Sequence, residues 1–211
     1  MLSLKAVYFY LLAVKILVVR FIKKIYFFTT YYNNSLKSKL PEQLYFYPNP
    51  FLLSSFVNQK IFTFKLSKVN VDTFWNDFES LKEEEDLNSF FWLNLINRKN
   101  DGEAIQQIIS IWIKNNNKYK KKNWGDGQIT KRILAWILNA DIILNNANGV
   151  FKENFFKSII TQVNHLKNNL NNENDPAKKI EISSAIILSG LVFKEYNSNF
   201  EKGIKALKYT V

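Results

Sequence analysis

An all-α fold is what the sequence predicts: an incomplete α/α toroid, or helical array, preceded by an N-terminal helix and a short irregular linker with room for a strand. Three observations predict it. From Asp72 onward, apolar residues recur at helical spacing in one segment after another. Residues able to cap helices stand in front of several of these segments. The segments are similar in length and joined by short connections, the pattern from which stacked helix pairs are built. The chain of 211 residues then divides into a basic apolar helix at 1–30, a linker at 31–70 and a helical domain at 71–211.

Leu4 to Phe28 is mainly apolar and aromatic and lacks Pro and Gly, so it predicts a helix. Lys15 interrupts it, and Arg20, Lys23 and Lys24 follow. A secretory signal needs basic residues first, an unbroken apolar stretch next and a small-residue cleavage site last. That order is absent here. A spanning helix would hold Lys15 near the bilayer centre at a cost of roughly 3 kcal/mol. Packing on the protein itself and lying on a membrane surface remain open, and the flanking cations favour anionic lipid in the second case.

Residues 29–50 are turn-rich, with Pro41, Pro48 and Pro50 pushing their predecessors toward extended backbone. Ile61 to Leu66 alternates as a short strand would, with the Leu44–Tyr47 stretch as its one candidate partner. Beyond these, Asp72-Thr73 predicts an N-cap before Phe74-Trp75, and Asp86 another before a helix through Phe90, Phe91, Leu93, Leu95 and Ile96. Asp101 opens a helix with Ile105, Ile108, Ile109, Trp112 and Ile113 on one face. Further helices are predicted over about 127–145, 151–172, 177–194 and 198–209, with Gly149 as a break.

Composition limits the chemistry. There is no Cys, which removes disulfides, thiolate metal sites and cysteine catalysis. One histidine, His165, rules out a multi-histidine metal site within the chain. No cofactor is implied, since neither glycine cluster has the spacing of a phosphate loop. The net charge of +11 draws polyanions: acidic glycan, nucleic acid or anionic lipid. Lys118–Lys122, with Tyr119 interleaved and Trp124 beside it, resembles a stacking-and-charge strip for single strands. No helix-turn-helix, zinc finger or RNP motif accompanies it, so nucleic acid is not the favoured partner. Glu83–Asp86 reads as a solvated acidic cluster at a helix start.

The densest stretch runs from Trp124 to Trp136, WGDGQITKRILAW. Asp126 is expected to cap the helix that follows. Arg132 and Trp136 are four apart and therefore neighbours on a helix. Arg132 reads either as a guanidinium lying on indole and bonded to carbonyls, or as a glycan contact. Trp124 reads as a sugar-stacking platform in an exposed loop or as a lid over helix ends. His165 reads as a packed or surface histidine, because a base also needs a placed partner.

In order and spacing, Trp124, Thr130, Arg132 and Trp136, with Trp92 and the Ile108–Asn115 stretch upstream, resemble the N-terminal helical domain of the heparinase II/III-like polysaccharide lyases. Gln162, Leu166, Leu170, Ala185, Gly190 and Leu191 extend the resemblance, which covers residues 70–211. Gly127-Gln128 and Ala135 depart from it. The resemblance implies a toroidal domain and a relation to enzymes that cleave acidic, uronate-containing polysaccharides by β-elimination. It also implies a gap: Pro176, Ala177 and Lys178 stand where the family carries Gly-Asn-His. Ala177 has no amide to hold a uronate carboxylate, while Lys178 can neutralise one as a point charge. The family's catalytic Tyr falls beyond the matched helices, so no catalytic residue is assigned. The expectation is a shortened or catalytically degenerate relative, with Trp124, Arg132 and Lys178 as candidate ligand-binding residues. The alternative is a non-enzymatic polyanion- or glycan-binding helical protein in cell-surface polysaccharide handling. In either case the expected location is cytoplasmic or membrane-peripheral, with the periplasm left open.

Overall fold

The computed structural model describes residues 4–50, 70–71, 73–75, 87–96 and 101–210, and among these it is all-helical with no strand. The N-terminal helix α1 (Leu4–Phe27) is followed by the short α2 (Thr30–Ser35). The helical domain contains α3 (Gly102–Asn115), α4 (Asp126–Leu138), the single turn α5 (Ala140–Ile143), α6 (Gly149–Asn169), α7 (Pro176–Val192) and α8 (Asn197–Lys208). The expected strand at Ile61–Leu66, the caps at Asp72 and Asp86 and the acidic cluster at Glu83–Asp86 lie outside the described residues.

Local chemistry explains the helix starts. Asn148 caps α6, its Oδ1 accepting from Phe151 N at 2.8 Å. Asp175 caps α7 through Ala177 N at 3.0 Å, with Pro176 in the first turn where its missing N–H costs nothing. The apolar face of α3 is buried as its periodicity requires: Ile105, Ile108, Ile109, Trp112 and Ile113. These residues join α4, α6 and α7 in one core whose centre is aromatic. Trp136 stands edge-on to Trp112 at 5.5 Å and to Phe90 at 5.1 Å, with Phe155 on its other side at 5.3 Å.

Four local expectations are corrected. The helix expected over 127–145 is two helices. At Asn139 the side-chain amide donates back to Ala135 O at 2.8 Å, competing with the ladder, and α5 restarts beyond it. The helix expected through Phe90 to Ile96 is a 3-10 segment, Phe91–Leu95, because Phe90 takes a left-handed backbone at φ 57°. Residues 30–35 are helical rather than loop, with Thr29 Oγ1 accepting from Tyr32 N at 3.1 Å. The Leu44–Tyr47 stretch is no strand; Tyr45 N donates to Val192 O at 2.8 Å at the end of α7.

The pair α7 and α8 is the closest in the fold. A Cβ on Gly190 would stand 2.3 Å from the backbone N of Phe200, so only glycine admits α8 at this distance.

Candidate functional site

Arg132 projects from α4 into the core, with no exposed surface. Its Nε donates to Gln162 Oε1 at 2.6 Å, one terminal nitrogen donates to Asn88 O at 2.6 Å and the other to Asn123 O at 2.9 Å. The guanidinium also lies over the Trp112 ring, 4.2 Å from its centre. The expected hydrogen bonding to backbone is present, whereas the indole beneath it is Trp112 and not Trp136. Burial pushes the group down to about 9, which leaves it charged at neutral pH. Arg132 therefore ties α4 to α6, to the helical turn at Asn88 and to the loop at Asn123, and the direct glycan-contact reading gives way.

Of the two readings of Trp124, burial fits the lid over helix ends and not the exposed platform, while its side chain still lines both cavities described below. The side chain is 3% exposed, and its Nε1 donates to Asn116 O at 3.3 Å. It closes over the ends of α3 and α6. Lys178 is exposed in the first turn of α7 and lines neither cavity described below. The structure thus does not bring Trp124, Arg132 and Lys178 to one site.

What it does assemble is a cleft of about 770 Å³ among α2, the end of α3 and the first half of α6. Lys37, Lys114, Lys118 and Lys157 line it, and among the described residues no carboxylate does. Amides and hydroxyls lie between the lysines, including Asn33, Asn117, Asn154, Ser158 and Thr161. Phe28 and Phe151 give it apolar surface. The α2 wall is held by side-chain bonds over long sequence distances. Asn33 Oδ1 accepts from Tyr119 N at 2.8 Å, and Asn164 Nδ2 donates to Leu36 O at 2.9 Å and Ser38 Oγ at 2.8 Å.

Behind the cleft, at the floor of a second pocket of about 370 Å³, lies His165. Tyr32 Oη is 2.6 Å from its Nδ1. Its Nε2 is 3.2 Å from Asp126 Oδ1 and 3.0 Å from Asn169 Nδ2. In the tautomer in which the phenol donates to Nδ1, the ring hydrogen is on Nε2 and faces the Asp126 carboxylate, and Asn169 Nδ2 is then a neighbour of Nε2 and not a donor to it. Phe27, Tyr119 and Trp124 surround the ring at 5.5 Å each. Burial, helped by the Asp126 charge, raises the Tyr32 hydroxyl well above its ordinary range and Tyr119 in the same direction. Tyr32 is therefore a neutral donor. Asp126 does not cap α4: the helix begins at Asp126 with Gly125 as its cap, and the carboxylate turns to His165. Tyr119 packs inward on this cluster, so it does not form a solvent-facing strip with the lysines around it.

The sequence left His165 as a packed or surface histidine; it is packed, and its partners were not foreseen. Tyr32 lies 133 residues away, and no local spacing signals such a pair. Comparison with known protein families, with curated proteins and with solved structures finds no match to this chain.

Proposed function

We propose that this chain binds an acidic, uronate-containing polysaccharide in the cleft between α2, α3 and α6, as a non-catalytic relative of the heparinase II/III-like lyases. The observation that carries this reading is the lining of the cleft. Four lysines without an opposing carboxylate favour a polyanion. The amides and hydroxyls between them suit a ligand rich in hydroxyl groups, and the exposed Phe28 offers an apolar face on which a pyranose ring can rest. A helical array of neighbouring pairs is the arrangement from which an α/α toroid is built, in keeping with the resemblance carried by Trp92, Arg132, Trp136 and Gly190. Elimination chemistry is not part of the reading. Ala177 and Lys178 lie exposed at the start of α7, apart from both cavities, and supply no amide-imidazole pair.

Titration calorimetry with alginate or heparin, against neutral dextran, tests it. Binding to the uronate polymers and not to dextran is expected, weakening steeply as salt screens the lysines. The double variant Lys37→Glu/Lys157→Glu, on two exposed side chains, should weaken binding at least about tenfold, the order expected from reversing two charges in contact with a polyanion. Unchanged affinity in that variant would move the glycan elsewhere, and binding to dextran as strong as to alginate would sink the acidic-ligand reading.

A further inference from the structure

Helix α1 has the length of a major core element and buries almost nothing. Every residue in it whose side chain is described is exposed or half-buried. Exposed apolar residues lie on all its faces, and one line of them runs its length at helical spacing: Val7, Leu11, Val14, Val18, Phe21 and Ile25, between 39% and 65% exposed. Among the described residues, its C-terminal end meets the rest of the protein, where Tyr26 packs on Tyr32 at 5.0 Å and Phe27 on Tyr119 at 5.1 Å. The helix carries five cations, Lys5, Lys15, Arg20, Lys23 and Lys24, and no carboxylate.

We propose that α1 lies on an anionic phospholipid surface, its apolar stripe in the acyl boundary and its cations among the headgroups. Exposed apolar surface on this scale needs a cover. Three observations choose the cover. A second copy of α1 seated on the same stripe would bring like charges together with no acidic residue to pair them, the reverse of the mixed-charge flanks that fix coiled-coil partners. No described helix is long and apolar enough to cross a membrane, and Lys15 sits midway along the stripe. The charge is complementary to anionic lipid and continues past the helix: Lys23 and Lys24 share the mouth of the smaller pocket with Lys121. Asp126 and Glu173 also line that mouth, so its net charge is lower than the lysines alone suggest, and the helix itself remains the main contact. This inference is independent of the glycan-binding reading.

The full chain is floated with vesicles of phosphatidylcholine alone and of phosphatidylcholine with phosphatidylglycerol. It should float with the second and not the first, and salt at about 1 M added beforehand should prevent it, since the screening length then falls to ~3 Å. Two double variants separate the contributions: Lys5→Glu/Lys15→Glu removes charge, and Val14→Asp/Val18→Asp removes stripe. Each should lower partitioning at least about tenfold, given that one cation near such a surface is worth roughly fivefold. Neither pair packs on the helical domain, so circular dichroism and the melting curve should be unchanged. Equal flotation with both vesicles, or with neither, overturns the proposal. A dimer that Val14→Asp/Val18→Asp dissolves, without flotation, assigns the stripe to a second copy of the chain and also overturns it.

Discussion

A guanidinium inside an apolar core is tolerated because its donors are met, and Arg132 meets this condition with one amide oxygen, two backbone carbonyls and an indole face. Trp136, one turn along α4, is the opposite case. It is fully buried among Trp112, Phe90 and Phe155, yet its Nε1 has no hydrogen-bond partner. Its contribution is therefore packing. Trp136→Ala should cost about 3–5 kcal/mol in urea unfolding, and Trp136→Phe distinctly less, because no hydrogen bond is lost. A phenylalanine variant as damaged as the alanine one would show that indole shape, not burial, is what the core needs. Tyr32 gives a pH dependence whose sign follows from its shift. Its folded value lies above the ordinary 10.0. Above about pH 10 the unfolded chain releases this proton while the folded chain keeps it, so this group makes stability fall as pH rises. Arg132, pushed down by burial, works in the opposite direction above about pH 9, because there the unfolded chain keeps a proton that the folded chain begins to release. The comparison that isolates Tyr32 is with Tyr32→Phe. The variant should be less stable at neutral pH, having lost the bond to His165, and its stability should decline less between about pH 10 and 11. Parallel declines in the two proteins would remove the phenol from the account.

Among the elements, the α7–α8 pair has the least tolerance. Gly190 meets the Phe200 backbone, and a Cβ on Gly203 would stand 2.4 Å from an Ile187 side-chain carbon and 3.1 Å from Ser183 O. A flexible isoleucine can shift, but a peptide nitrogen in a helix cannot move without α8. Gly190→Ala should therefore destabilise the protein by about 3 kcal/mol or more by thermal or urea unfolding. Gly127→Ala is the matched control. It lies in α4 with nothing within 4 Å of the added carbon, so it should stabilise by about 0.5–1 kcal/mol. A neutral Gly190→Ala would mean that α8 docks more loosely than this geometry requires. The α3 stripe was legible in advance from residue type and period, but the caps were not: Asp101 makes no side-chain cap bond, Asn148 and Asp175 cap α6 and α7 unforeseen, and Gly149, read as a break, is the first residue of α6. Nor was the role of Asp126, because a carboxylate at a helix start caps only if nothing better competes, and a buried imidazole competes here.

At the scale of the whole molecule, two groups of cations stand out within the net charge of +11: the lysines lining the cleft and the cations on α1. Incubation with alginate or heparin should produce no unsaturated product, read as near-ultraviolet absorbance of the conjugated double bond. Losing a single positioned donor costs about 10²–10³ in rate, and the Ala177-Lys178 position supplies neither donor of the pair. Product formation that His165→Ala abolishes would instead make the Tyr32–His165–Asp126 chain a reaction centre and end the non-catalytic reading. What the sequence by itself determined is the all-helical class, the burial of Ile133 and Trp136 and the need for Arg132 to be bonded. These follow from period and from the cost of an unmet charge, which are local quantities. What only the tertiary structure decided is which groups meet across the chain. The sequence offered Trp124, Arg132 and Lys178 as a set, and folding separated them, turning the first two inward and leaving the third on the surface. It gathered Lys37, Lys114, Lys118 and Lys157 from four segments, and Tyr32, Asp126 and His165 from three. The physical reason is that side-chain convergence depends on how helices pack, and the packing angle of one helix on another is set by contacts along their whole length, not by spacing within either.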